Sequence, residues 1–448
     1  MTVEKDVATL LETVKAEVRE TSADPRIGWA WLEAEYRASN ARAFHGNGLA
    51  LTVGDEAVPK LENAVGRLLR DQRVRAVWRD EDLWTTVLSL LAAAFEDESI
   101  DLETAVRKLV KPAPVRISFA LANVTWATDP TSLGGIMLAR VESPEDAALV
   151  ANRLSLDGRG VRSFVDHAQQ LLREFGSFVV ATATSPRQGE LAHEDFTRRL
   201  DDLIGLVLLF SDRLDDHGIY SLRGATNRPG MRGVALDRRA LGELLAAKGA
   251  GELNARVLTM TGWGSGNSFH WQSADPMPLD RLLDADLLAL LDDLLVAEDA
   301  IAQRLRVAAR WYARAFWADA HDDSALAVSV ALDSLLTGKD AVPGAVSKGR
   351  FALLERDPAS RAARFDRYEE VYKVRNAIAH GGEATRSLAR VGGARAILAD
   401  ARWVARQLLA LRRISTPEDD AAFRELWSAV QWGTVPWAEP SDGTSVHR

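Results

Sequence analysis

The chain has 448 residues, 47% of them hydrophobic and 27% charged, with a formal net charge of −9. That composition describes a globular protein too long for one ordinary core, so two or three domains are expected. The absence of cysteine excludes disulfides, thiolate nucleophiles and zinc–cysteine sites, and the acidic balance argues against indiscriminate attraction of nucleic acid to the whole surface.

The opening stretch MTVEKDVATLLETVKAEVRE is charged and amphipathic, with no signal-peptide core. The longest apolar run, LIGLVLLF at 203–210, is far short of the roughly 20 residues that cross a bilayer. A cytoplasmic chain with no membrane partner is expected.

Residues 1–110 read as a mostly helical region. Trp29, Leu32 and Tyr36 recur at helical spacing, as do Leu61, Val65 and Leu68, and Asp80 or Asp82 is placed to open a helix through LWTTVLSLLAAAF. KPAP at 111–114 then breaks the pattern. Residues 112–280 read as an α+β region with a possible sensor or regulatory role. Val115, Ile117, Phe119 and Leu121 alternate as a strand does, and 134–141, 177–184 and 256–260 have strand character. Helices are expected at 144–155, 161–175, 192–211 and in DRRALGELLAAKG, and ADPMPLD at 274–280 reads as a linker.

Residues 285–415 read as an all-helical bundle. The stretch LLDADLLALLDDLLVAEDAIAQRLRVAARWYARAFW is one long helix or two. Val328, Leu332 and Leu335 form one stripe, and Ile397, Ala401, Val404, Leu408 and Leu411 form another at alternating steps of four and three. Residues 416–448 are left as a C-terminal tail. The fold class is thus multidomain: helical, then α+β, then an all-α bundle. Between Arg361 and Arg413 there are 12 Lys and Arg against five Asp and Glu. A basic segment on an acidic body reads either as a polyanion site or as a set of solvated helix faces.

Within that segment, YEEVYKVRNAIAHGGEAT (368–385) carries the chemistry. At ~100° per residue, Phe365, Tyr372, Tyr368, Val371, Ile378 and Val374 make an apolar half, while Glu369, Asn376, His380 and Lys373 make a polar stripe. Arg375 falls inside the apolar arc, about 140° from His380. Asn376 and His380 are neighbours one turn apart. Gly381 and Gly382 are natural helix terminators, so His380 is expected in the last turn, where the helix dipole favours positive charge. A histidine there can act as general acid or base, or simply end a helix.

Tyr-x-x-Arg-Asn-x-x-x-His-Gly resembles the signature of HEPN domains, particularly the Apea-like branch. Arg375, Asn376 and His380 fit the motif of Arg, a polar residue and a later His, with four residues intervening. VALDSLL (330–336) is similar to the family's ALExLL helix, with Asp333 where Glu is usual, and SKGRFALLERD (347–357) resembles the intervening Arg-x-Ala-x-Leu-Leu segment. The match covers about 300–415, roughly a quarter of the chain.

This resemblance implies a helical bundle that dimerises and, in many members, cleaves RNA without a metal or cofactor. His380 would be the base or acid, Arg375 the phosphate clamp, Asn376 an orienting group and Asp333 a support for Arg375. RNA would be the substrate, a second copy of the chain the partner, and an unknown trigger would act through the rest of the chain, as in a prokaryotic defence or stress effector. An inactive module for dimerisation or RNA binding is the alternative. Antitoxin-regulated HEPN toxins often carry a Tyr two residues after the His, where this chain has Gly382.

Other signals are weaker. GWGSGNSFHW (262–271) is glycine-rich without a following Lys-Ser/Thr helix, so it reads as a loop. HED (193–195) and HDD (321–323) contain metal-ligand residue types without spaced partners and read as helix-start polar residues. The 13 tryptophans read mostly as core, with some able to stack on bases.

Overall fold

In the computed structural model, which describes residues 3–20, 42–46, 49–54, 56–122, 124–126, 129–153, 158–217, 219, 230–236, 257–258, 277–337, 344–381 and 384–437, the chain is mostly helical with a small sheet region. In chain order the elements are α1 (Val3–Lys15), β1 (Val18–Glu20), β2 (Arg42–Gly46), β3 (Leu49–Val53), α2 (Val58–Arg70), α3 (Gln72–Arg75), α4 (Asp80–Glu96), α5 (Leu102–Val110), β4 (Val115–Ala122), β5 (Val124–Thr125), β6 (Thr131–Leu133) and β7 (Ile136–Val141). They continue as α6 (Pro144–Arg153), α7 (Gly158–Phe175), β8 (Phe178–Ser185), α8 (Gly189–Phe210), β9 (Gly230–Leu236), β10 (Val257–Leu258) and β11 (Met277–Pro278). The remainder is helical: α9 (Ala285–Val296), α10 (Ala300–Phe316), α11 (His321–Leu336), α12 (Gly344–Leu353), α13 (Arg361–Ala379), α14 (Ala384–Arg390), α15 (Gly393–Ile414) and α16 (Asp420–Gln431). The expected motifs around Trp29, in DRRALGELLAAKG and in GWGSGNSFHW lie outside the described residues.

The chain forms two compact units. The first comprises Met1–Ala120, Ala139–Thr197 and Met231–Ser265. Its helical core is built by the periodicity visible in the sequence: Leu61, Val65 and Leu68 of α2 are fully buried with Val7 and Leu11 of α1 and Leu90 and Leu91 of α4. The region is less purely helical than its pattern suggests. β1, β3 and β2 form an antiparallel sheet in that order, and Gly46 pairs with Leu49 across Asn47-Gly48, a sequence that favours tight hairpins. Asp80 and Asp82 lie inside the first turn of α4, after Arg79 at the capping position with no side-chain cap. The Asp82 carboxylate accepts instead from the Glu190 backbone N–H at the start of α8, at 2.7 Å.

β4 lies inside a six-stranded sheet of order β10-β9-β4-β8-β7-β6. Its alternating residues are buried as expected, but so is Ser118, whose hydroxyl meets that of Thr182 on β8 at 2.8 Å. A central strand covered on both faces needs such pairing for any polar group it buries. α6 opens with a reciprocal cap, Ser143 Oγ accepting from the Asp146 N–H and the Asp146 carboxylate accepting from the Ser143 N–H, both at 3.1 Å.

The second unit comprises Leu121–Leu138, Arg198–Gly230 and Gly266–Arg448. Its 285–316 stretch is two helices. Asp299 ends the ambiguity by capping α10 through the N–H groups of Ile301 and Ala302, and Arg306 donates to the Leu294 and Ala297 carbonyls at the end of α9. The stripe Ile397, Ala401, Val404, Leu408 and Leu411 of α15 is fully buried, as are Val328 and Leu335 of α11. Gly205 lies so close to α10 that a Cβ there would sit 2.4 Å from the Ala309 carbonyl oxygen.

The segment expected as a tail holds α16, which buries Phe423, Leu426 and Trp427. Arg304 pairs with Asp420 at 2.5 Å and lies over the Phe423 ring at 3.8 Å. Beyond α16, Trp437 is 2% exposed and donates its indole N–H to the Leu353 carbonyl at 3.0 Å. Among the described residues, no helix is long and apolar enough to cross a membrane.

Candidate functional site

α11, α12 and α13 pack against one another in the second unit, and they carry the three motif-bearing segments. α13 stays helical to Ala379. His380 is its exposed C-cap residue, with φ −101° and ψ 10°. The His380 N–H donates to the Asn376 carbonyl at 3.0 Å and the Gly381 N–H to the Ile378 carbonyl at 3.1 Å. Gly381 then turns left-handed, at φ +70°, a conformation glycine adopts without penalty. The helix does not unwind before His380, so the angular divergence of Arg375 and His380 persists within one chain.

Arg375 is oriented by α11. Its guanidinium is 3.3 Å from Asp333 Oδ2, and its central carbon is 5.8 Å from the centre of the Tyr372 ring. The other Asp333 oxygen accepts from the Tyr368 hydroxyl at 3.1 Å. Tyr368 is itself buried, 5.2 Å ring to ring from Phe351 of α12. Burial raises the Asp333 carboxyl above the ordinary aspartate value, while Arg375 and the tyrosine hydroxyl oppose that rise. Burial, with the adjacent carboxylate, likewise raises the Tyr368 phenol.

The structure therefore brings together Asp333 and Arg375 of the four expected site residues. Asn376 and His380 lie one turn apart on the polar side of α13, and among the described contacts none joins their side chains to Arg375. Tyr368 is the residue that sequence reading assigned only to the apolar face. The signal was present: seven residues before Arg375, it falls within about 20° of it on the helix. The wheel also placed Phe365 in the apolar half, yet Phe365 is 37% exposed, with the Lys348 ammonium 5.6 Å from its ring.

The basic segment looks different in three dimensions. Arg364 pairs with Glu355 at 3.0 Å, Arg367 with Asp400 at 2.6 Å, and Lys373 with Glu370 at 2.6 Å. Arg402 and Arg406 both reach Asp212, and Arg412 bridges Asp293 and Asp299. Part of the apparent positive excess is thus matched by acids from outside the segment, Glu355, Asp333, Asp212, Asp293 and Asp299.

HDD occupies the first turn of α11, as expected. HED lies deeper in α8, where His193 is buried edge-on to Phe119 at 5.1 Å, and that burial lowers its imidazole below the ordinary value. Among the described residues, no group of three or more His, Asp or Glu could hold a metal. Comparisons with protein families, curated proteins and solved structures found no match.

Proposed function

We propose that this chain is a HEPN-type, metal-independent endoribonuclease whose working form is a homodimer. The observation that carries the reading is the Arg375–Asp333 pair at 3.3 Å: it ties the two outer motif segments together and holds a permanent cation two turns or less from an exposed helix-end histidine. Arg375 suits a phosphate clamp because its guanidinium is always charged and fork-shaped. In the proposed reaction a ribose 2′-oxygen attacks the adjacent phosphorus and the bond to the 5′-oxygen breaks. His380 removes the 2′-hydroxyl proton, Arg375 stabilises the charge on the pentacoordinate phosphorus, and a second histidine protonates the leaving 5′-oxygen. Asn376 orients His380 or the phosphate.

Because Arg375 and His380 diverge on a regular helix, the reading assigns the complementary groups to a second copy. The first unit would then restrain or trigger this dimer, as in a prokaryotic defence or stress effector acting in the cytoplasm; that role rests on analogy. The test is incubation with mixed RNAs in EDTA, wild type beside His380→Ala and Arg375→Ala. Cyclic-phosphate ends formed by the wild type and lost in both variants support the reading, and equal cleavage by all three proteins overturns it. The engagement of Arg375 by Asp333 favours a second reading, an inactive HEPN module for dimerisation or RNA binding. It predicts RNA binding or a dimer without cleavage.

A further inference from the structure

The Asp333 carboxylate has two partners, one on each oxygen: the Tyr368 hydroxyl at 3.1 Å and the Arg375 guanidinium at 3.3 Å. Its side chain is 28% exposed and that of Arg375 35%, so the cation faces solvent more than the acid does. An anion arriving from solvent reaches Arg375 first and competes with Asp333 for the same N–H groups. Asp333 cannot follow, because it belongs to α11 and is tethered by Tyr368, itself packed on Phe351.

We propose that Asp333 and Tyr368 form a proton-linked brake on Arg375, in which a phosphate-class anion captured by Arg375 displaces the guanidinium from Asp333 and the freed carboxylate takes up a proton. The inference rests on the reading of Arg375 as a phosphate clamp and extends it to two positioning residues that need not touch the anion. The direction follows from solvation. A half-buried carboxylate loses its cation, and the neutral acid becomes the cheaper state. Burial already raises the Asp333 carboxyl, with Arg375 the leading opposing influence.

The groups that act on Asp333 are few. From α13 they are Arg375 and Tyr368, and from α12 Ser347 bonds the tyrosine. Lys348 of α12 and Glu369 of α13 are paired with each other at 3.1 Å. α10, α14 and α15 also pack on α11, and among the described residues they add no charged group to those acting on Asp333.

The experiment is calorimetric titration in two buffers of different ionisation enthalpy, from about pH 5 to about pH 8, above the ordinary aspartate value. It uses His380→Ala protein, so that this imidazole contributes no proton. The probes are a 2′-O-methyl oligonucleotide, which lacks the attacking hydroxyl, and inorganic phosphate. Binding is expected to take up a fraction of a proton per chain and to weaken by up to about tenfold per pH unit.

Adding Asp333→Asn should abolish the uptake, flatten the pH profile and tighten binding at the alkaline end. Tyr368→Phe keeps the ring and the ion pair but removes a bond to the charged carboxylate, so uptake should move to higher pH; it also guards against a misfolded Asn variant. Equal proton uptake in the Asp333→Asn protein overturns the brake, as does failure of both probes to bind. A flat pH profile for the oligonucleotide, with RNA still cleaved by the otherwise wild-type chain, overturns the brake and leaves the ribonuclease reading standing. Phosphate binding with an uptake that Asp333→Asn abolishes, without oligonucleotide binding or RNA cleavage, supports the brake for free phosphate, which itself titrates near neutrality, and removes the ribonuclease reading.

Discussion

Tyr368 and Arg375 sit two turns apart on α13 and converge on opposite oxygens of one carboxylate, Asp333, at 3.1 and 3.3 Å. Neither contact is between sequence neighbours of Asp333, yet together they decide where the guanidinium of Arg375 points. The same geometry makes the ion pair asymmetric in its consequences. Removing the cation strands a half-buried acid, whereas neutralising the acid leaves an arginine that solvent can hydrate.

Arg375→Met should therefore destabilise the protein more than Asp333→Asn does. With both side chains about a third exposed or less, the former is expected to lose about 1–2 kcal/mol near neutral pH and the latter under about 1 kcal/mol. Asp333 has a raised carboxyl in the fold, so its charged form is the one that opposes folding. Its contribution is most favourable below the unfolded value and is lost as pH rises through the folded one. The Arg375→Met deficit in Tm should accordingly be larger at about pH 8 than at about pH 5, and Asp333→Asn should remove most of that pH dependence.

Asp202 offers an independent pH signature. It is 6% exposed, 2.8 Å from Arg310, and burial raises its carboxyl to about 7. The associated stability is complete below the unfolded value near 3.8 and fades as pH rises toward about 7. Asp202→Asn is expected to raise thermal stability at about pH 8, on the order of 1 kcal/mol, and to have little effect at about pH 4. A denaturant series at the two pH values reads this out, and an equal shift at both would refute it.

Gly205→Ala should be strongly destabilising, because its Cβ would meet the Ala309 carbonyl oxygen at 2.4 Å. Backbone cannot rotate away as a side chain can, so α8 and α10 would have to separate. A loss of about 2–3 kcal/mol is expected, measured as a lowered Tm beside Gly66→Ala, where the added methyl meets nothing within 4 Å.

Trp437→Ala tests whether the end of the described chain belongs to the bundle. The indole is buried, bonded to the Leu353 carbonyl and covered by the Arg356 guanidinium 4.6 Å from its ring. Its loss should lower stability by about 3 kcal/mol, and truncation after residue 415 should be worse because Phe423, Leu426 and Trp427 leave with it. Unchanged unfolding of either protein would show that the segment is a dispensable appendage.

Much of the helical framework was legible because apolar periodicity is local. The α15 stripe from Ile397 to Leu411, the α2 stripe from Leu61 to Leu68, and β4 with its alternation from Val115 to Leu121 all recur as buried faces. The break before α10 was harder, since the leucine-rich run continues across it and only the Asp299 cap, seen with its two N–H partners, resolves one helix into two. The short N-terminal strands were missed because segments of three and five residues leave little periodicity to read. In the site, the link of Asp333 to Arg375 came only from the family resemblance, and Tyr368 was not legible, because a tyrosine on an apolar arc looks the same whether its hydroxyl is idle or bonded.

By itself, then, the sequence determined which segments are amphipathic, which are alternating, where α13 stops, and that Arg375 and His380 lie about 140° apart on it, since all of these follow from spacing along one chain. The tertiary structure decided what the charges are for. Glu355, Asp333, Asp212, Asp293 and Asp299 come from outside the segment to meet the arginines of a stretch that looks simply basic when read in order. Electrostatic pairing depends on distance through space rather than along the chain, and at 3 to 4 Å it can cancel or orient a cation that composition can only count.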